Sequence, residues 1–259
     1  MTRHDATNPR SAVTAAGAAG EPALITIRAL LFDTVGTLLD WRGGLIAQVH
    51  AWGAAHGIAA DWPGLVDAWR LDFVFSIAKV RAGERDWADQ DQLQRESMVR
   101  LAPQFGVPGL RGDALEELVR MWHELPPWPD SVAGVEKLRS RYIVAPLSNG
   151  HVAMLVPLAK AAGITWDAVL GADIFRHYKP DPETYLGAAA LLGCEPAEMM
   201  LVACHPSDLD AAAECGLRTC YVSRPLEYGP GRMVEATPAE GHFDLMVGNL
   251  LELAEVMDC

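Results

Sequence analysis

The chain has 259 residues, enough for one large domain or two smaller ones, and half of them are hydrophobic, which excludes a disordered protein. Its 21 Lys and Arg against 34 Asp and Glu give a formal net charge of -13. No basic block offsets that charge, so nucleic acid and anionic membrane, which both need a basic face, are excluded as main partners.

Five cysteines (Cys194, Cys204, Cys215, Cys220 and Cys259) lie in the last third and form no C-x-x-C pair. Neither a disulfide framework nor a zinc site is indicated, and a reduced, cytoplasmic setting fits. No apolar run reaches the length of a membrane span. Residues 1–23 lack both periodicity and the apolar segment of a signal peptide, and read as a disordered extension.

The run from Leu24 to Asp33 is apolar and rich in β-formers, the pattern of a strand buried on both faces. It stops at Asp33, where Thr34-Val35-Gly36-Thr37 makes a turn. A helical texture follows. Leu45, Ile46, Val49 and Trp52 have helix spacing, and Asp61 with Pro63 opens a longer helix carrying Leu65, Val66, Trp69, Phe73 and Ile77. Further helices are expected over Asp89 to Leu101 and Asp113 to Leu125. Seven of the eight tryptophans lie between Trp41 and Trp128, and Pro126-Pro127-Trp128-Pro129 closes this block with a stiff linker.

From Asp130 onward helix and strand alternate. Helices are expected over Val132 to Ser140, Val152 to Ala162, Pro182 to Leu192, Asp208 to Cys215 and Gly248 to Met257. Strands are expected over Tyr142 to Leu147, Ala168 to Leu170, Met199 to Ala203, Thr219 to Val222 and near Phe243. This rhythm implies an α/β fold: a Rossmann-like parallel sheet with helices on both faces and right-handed crossovers. The first strand belongs to it. Residues 24–40 and 130–259 then form the core, and 41–129 is an inserted helical cap over the edge that follows Asp33.

Four loops fall at the carboxyl ends of predicted strands, where open α/β sheets bind ligands. They carry Asp33 with Thr37, Ser148 with Asn149, Lys179, and Cys204-His205 with Asp208. Singly these read as a turn, a solvated lysine and a helix cap. Together on one edge they read as a site. In the cap, Arg70 interrupts the apolar face of Val66, Phe73 and Ile77, so its guanidinium needs an anion or hydrogen-bond partners, unless it snorkels to the edge.

The ordered set FDTVGT, LSNG, YKPDPETY and an Asp-bearing late loop resembles the haloacid dehalogenase superfamily, and most closely its L-2-haloacid dehalogenase branch, from about Ile25 to Leu253. The resemblance implies that Asp33 is a nucleophile displacing halide from C2 of a short 2-haloacid, leaving an ester that water hydrolyses. Lys179 would keep Asp33 ionised. Thr37 and Ser148 would orient Asp33 and the substrate carboxylate, and Asn149 would donate to substrate or halide. Asp208 would hold Lys179 and help the hydrolytic water, and Tyr185 would complete the polar shell. Arg70, after Trp69, matches the Trp-Arg pair whose Arg binds substrate and halide. No cofactor or metal is implied. The expected partner is a small anionic substrate, and a homodimer is compatible with the cap tryptophans, which could equally be core.

The superfamily consists mostly of Mg²⁺-dependent phosphatases, with an acid/base Asp two residues after the nucleophile and a metal-ligand Asp four before the position of Asp208. Here those positions are Val35 and Cys204. Neither supplies a proton to a leaving alcohol or a hard oxygen ligand, and a halide needs neither. The rival readings are a metal-dependent phosphatase of a small metabolite and a binding protein without turnover. Within the dehalogenases, Ala203 and His205 stand where familiar members have Ser and Asn. His205 could donate to or accept from the hydrolytic water, or be a loop histidine without a catalytic task.

Overall fold

Alternation of side chains along each strand decides how the sheet is covered. The structure, a computed structural model, describes residues 12–13, 25–107, 109–232 and 236–259. Strands β1 (Ala12–Val13) and β2 (Ile25–Thr26) form a small antiparallel pair. Apart from that pair, the extension expected over residues 1–23 lies outside the described residues. Strand β3 (Ala29–Phe32) sends Leu30 and Phe32 into one apolar cluster and Ala29 and Leu31 into another on the opposite face.

Four helices follow: α1 (Trp41–Ala55), α2 (Trp62–Arg81), α3 (Gln90–Leu101) and α4 (Asp113–Arg120). Asp40, Asp61 and Asp89 cap the first three by accepting from the backbone N–H of Gly43, Gly64 and Gln92. The helix expected to reach Leu125 ends at Arg120 and tightens into a 3-10 turn over Met121–His123. The proline pair after Leu125 disfavours helical geometry there.

The rest of the chain is α5 (Ser131–Arg139), β4 (Ile143–Ser148), α6 (Val152–Ala162), β5 (Leu170–Gly171), α7 (Ala172–Phe175), α8 (Pro182–Leu192), β6 (Met199–Ala203), α9 (Pro206–Glu214), β7 (Arg218–Val222), β8 (Leu245–Val247) and α10 (Leu250–Val256). Helix α7 has only four residues, too few to show a period in the sequence. Helix α9 starts at Pro206, whose fixed φ suits the first helical position, so Asp208 lies inside the first turn and is not the cap.

The main sheet has six strands in the order β5-β4-β3-β6-β7-β8, every neighbouring pair parallel. Phe32 is in register with Pro146 on β4 and Val202 on β6. From β3 the chain winds outward through β4 and β5, then returns to β6 on the other side. The crevice at that reversal, past Phe32 and Ala203, is where such sheets take ligands. Among the described residues, no helix is long and apolar enough to cross a membrane.

Candidate active site

Asp33 is the residue immediately past β3, and three side chains converge on its carboxylate. Lys179 Nζ donates to Oδ1 at 2.9 Å and to Asp208 Oδ2 at 2.5 Å. Tyr185, one turn into α8, donates from its hydroxyl to Asp208 Oδ1 at 2.6 Å. Thr37 Oγ1 donates to Asp33 Oδ2 at 2.8 Å while accepting from the N–H of Cys204 at 3.0 Å. His205 Nδ1 lies 3.2 Å from the same Oδ2. Lys179, Thr37 and His205 therefore meet at one carboxylate, while Ser148 and Asn149 border the same cavity.

Three of the expected residues make their hydrogen bonds within the protein. Tyr185 is fully buried behind Asp208 and does not line the cavity, so its place is with the carboxylate, not with a substrate. Asn149 spends its amide on the backbone of Lys179, accepting from the N–H at 2.7 Å and donating to the carbonyl at 3.3 Å. It thereby clamps the lysine loop. The Ser148 hydroxyl meets Thr34 Oγ1 at 2.7 Å and accepts from the N–H of Gly150, and it makes no hydrogen bond to Asp33.

In front of Asp33 opens a cavity of about 760 Å³, walled by Lys179, Ser148 and His205 from the sheet edge and by Arg70, Trp41 and Phe73 from the helical block. The Arg70 guanidinium lies 5.7 Å from the Trp41 ring centre and 5.9 Å from that of Phe73. Among the described residues it makes no hydrogen bond or ion pair, which leaves its donors for an anion. The helical block is also tied to the lysine loop. Tyr178 donates to the Ala88 carbonyl at 2.6 Å and stacks on Trp87, and Arg81 pairs with Asp181.

One participant was not foreseen from the sequence. Glu227, in the segment between β7 and β8, is buried and accepts from Trp41 Nε1 at 3.1 Å, with His205 Nε2 at 3.0 Å. Arg224 anchors that segment, donating from Nε to the Thr37 carbonyl and gripping both oxygens of Asp130 at 2.8 Å.

Burial alone would raise the Asp33 pKa, but Lys179 and then His205 override it and hold the carboxyl well below the usual carboxylate range. Burial would likewise lower Lys179, and Asp208 with Asp33 raise it instead. His205 is held well above the usual histidine range: burial opposes its charge, and Cys204, Asp33 and Glu227 together outweigh it. Burial pushes the Cys204 thiol up, so the two carboxylates are the charges that keep the proton on His205. Asp33 thus sits between the Lys179 ammonium and the His205 ring.

Comparison with known proteins agrees with this geometry. Residues 27–216 match the model of the haloacid dehalogenase-like hydrolases. The chain belongs to that family. An (S)-2-haloacid dehalogenase of Burkholderia cepacia is 32% identical over 212 residues, covering 78% of this chain and 87% of that protein. A solved L-2-haloacid dehalogenase superposes with a TM-score of 0.86 at 44% identity, covering 90% of this chain and 99% of its own. A solved defluorinating L-2-haloacid dehalogenase gives a TM-score of 0.86 at 40% identity, covering 90% and 96%.

Within this haloacid dehalogenase-like frame, the residues do not fit the hard cation used by the phosphatases. Both Asp33 oxygens are engaged by Lys179, Thr37 and His205. Cys204 offers sulfur, an unsuitable donor for Mg²⁺. Among the described residues Cys204, His205 and Glu227 do bring a sulfur, a nitrogen and an oxygen within 4.8 Å of one another. Those atoms satisfy each other as hydrogen-bond partners, with Cys204 Sγ 3.6 Å from both His205 Nε2 and Glu227 Oε2. Val35, two residues past the nucleophile position, borders the cavity and offers no proton.

Proposed function

We propose that the protein hydrolyses short 2-haloalkanoic acids to 2-hydroxy acids through an ester on Asp33, without a metal. The observation that carries the reading is an Asp33 carboxylate kept ionised by Lys179 at 2.9 Å, with apolar Val35 beside it where a phosphatase has its acid. One oxygen of Asp33 attacks C2, the carbon–halogen bond breaks, and the halide departs with the bonding pair. Water then adds to the Asp33 carbonyl carbon, and cleavage of its bond to the substrate oxygen releases the hydroxy acid. Two accessible steps replace one difficult displacement.

Each residue takes a role that its contacts support. Lys179 holds Asp33 and is itself held by Asp208, which Tyr185 supports from behind. Thr37 fixes the carboxylate plane. Arg70 takes an anion, either halide or substrate carboxylate, and Ser148 borders the place for the other. Asn149 keeps the lysine loop against the cavity, with its second amide hydrogen available to the substrate. His205 contacts the hydrolytic water. Residues 41–129 act as a cap that keeps bulk water from the charged nucleophile.

A cytoplasmic, nucleic-acid-free enzyme suits the acidic chain. A homodimer would cover Phe75, which stands 59% exposed on α2. The test is halide release from fluoro-, chloro- and bromoacetate and from both 2-chloropropionate enantiomers, with and without EDTA. Release is expected to survive the chelator and to fall about 10⁴-fold or more in Asp33→Asn. Halide release persisting in that variant would remove Asp33 as nucleophile. Chelator-sensitive turnover of a phosphate ester, with no halide released from any acid, would make the chain a phosphatase.

A further inference from the structure

Displacement of halide needs an anion, a cation beside it and an exit for the leaving group, and none of these explains Glu227. A carboxylate that is only 5% exposed needs strong partners to stay charged. Its partners are Trp41 Nε1 and His205 Nε2, and through His205 it connects to Asp33: Glu227 Oε1 to Nε2 is 3.0 Å, and Nδ1 to Asp33 Oδ2 is 3.2 Å. His205 itself borders the cavity. The array has the order carboxylate, imidazole, reacting centre, in which the outer acid orients the ring and fixes its tautomer.

We propose that Glu227 and His205 are a dyad for the second half-reaction: Glu227 positions His205, and His205 takes the proton of the water that attacks the Asp33 ester. The inference rests on the ester reading above. In the resting site both ring nitrogens face carboxylates, so both must donate and the ring is an imidazolium, unable to act as a base. Esterification removes the charge on Asp33 and leaves Glu227 as the one carboxylate against the ring. The proton on Nδ1 then departs to solvent, while Nε2–H stays bonded to Glu227. Nδ1 is left as an acceptor facing the ester. The half-reaction that needs a base creates it.

The atoms balance. A water gives one proton to Nδ1 as its oxygen bonds to the Asp33 carbonyl carbon. The tetrahedral centre collapses, breaking the bond to the substrate oxygen, and that alkoxide takes the hydroxyl proton left on the centre. The products are the hydroxy acid, the Asp33 carboxylate and the imidazolium, which is the resting state. The proton released after esterification matches the acid formed with each halide ion.

Other charged or titratable groups around the ring do not reverse this sequence. Cys204 is a buried thiol, Arg70 acts on Glu227 from the helical block, and Tyr221 and Tyr228 are phenols held neutral by burial. Lys179 bonds Asp33 on its other oxygen and is matched by Asp208.

The experiment is rapid-quench turnover of (S)-2-chloropropionate, reading halide, hydroxy acid and the intact protein mass. Glu227→Gln is expected to keep a halide burst of about one per site and lose about 10²-fold in steady-state turnover. The ester should accumulate as a mass adduct, and the acid limb of its turnover profile should move to lower pH. Glu227→Asp should restore part of the turnover. If Glu227→Gln does not fold, His205→Asn carries the same test, with burst and adduct again expected. Unchanged turnover, or burst and turnover falling together without an adduct, overturns the dyad. A wild-type protein that forms no ester overturns the reaction proposed above, whereas a wild-type ester whose decay ignores Glu227 overturns this inference alone.

Discussion

Asp33 Oδ1 faces Lys179, with Asp208 and Tyr185 behind it; Oδ2 faces Thr37 and His205, with Glu227 and Trp41 behind. Both flanks place a cation between two carboxylates, yet they are made of different chemistry. A lysine whose affinity for its proton is raised further by Asp208 and Asp33 stays charged across any working pH. An imidazole starts closer to neutrality, so its charge follows the charge beside it. One flank gives a constant field and the other a responsive one, which suits a carboxylate that must first attack and then be attacked.

Removing the constant flank should have the largest effect. In Lys179→Met, Asp33 and Asp208 are left as buried carboxylates without their cation, and one of them is expected to take up a proton. Turnover should fall about 10³-fold and the halide burst should disappear with it, as rapid-quench measurement would show. A surviving burst would mean that His205 alone keeps Asp33 reactive.

The responsive flank depends on a segment that Arg224 fastens down. Arg224 and Asp130 are only 8% and 12% exposed in their side chains and bond bidentately. Arg224→Ala leaves Asp130 partly uncompensated and should cost about 3 kcal/mol, read as a lowered urea midpoint. An unchanged midpoint would mean that the segment carrying Glu227 is held by its apolar contacts.

The two flanks should also fail at opposite ends of the pH scale, the smallest of these effects. The folded pKa of Asp33 lies below its unfolded value, so its contribution to stability is present above the ordinary carboxylate pKa and is lost as pH falls. The folded pKa of His205 lies above its unfolded value. Its contribution is complete below the ordinary histidine pKa and is lost as pH rises through the folded one. Urea midpoints of wild type and His205→Asn should therefore converge toward alkaline pH. Parallel curves would place the ring's charge outside the folding balance.

The unequal legibility of the flanks has a physical cause. Asp33, Lys179 and Asp208 stand where strands end, and strand ends are marked in sequence by apolar runs that stop. A parallel sheet then brings those ends to one edge whatever the intervening length. The direction of a side chain is a tertiary matter, so the bonds of Asn149 to the Lys179 backbone and of Tyr185 to Asp208 carry no mark in the sequence. Glu227 has no such marker. It lies in a stretch without period between β7 and β8, next to Pro225 and Gly229, and reads as an exposed turn glutamate. Its burial comes from long-range closure against the Asp33 turn.

That closure depends on a side chain that is absent. Gly36 sits at a φ of 96°, and a Cβ there would stand 2.3 Å from Glu227 Oε1 and 3.1 Å from His205 Cε1. The backbone of the nucleophile's own turn is thus the floor on which the distant carboxylate rests. A side chain at this point would meet Glu227 and would also strain a backbone at positive φ, in the same turn that carries Asp33 and Thr37. A single methyl group at position 36 would act as a shim between the Asp33 turn and the distant carboxylate that closes on it.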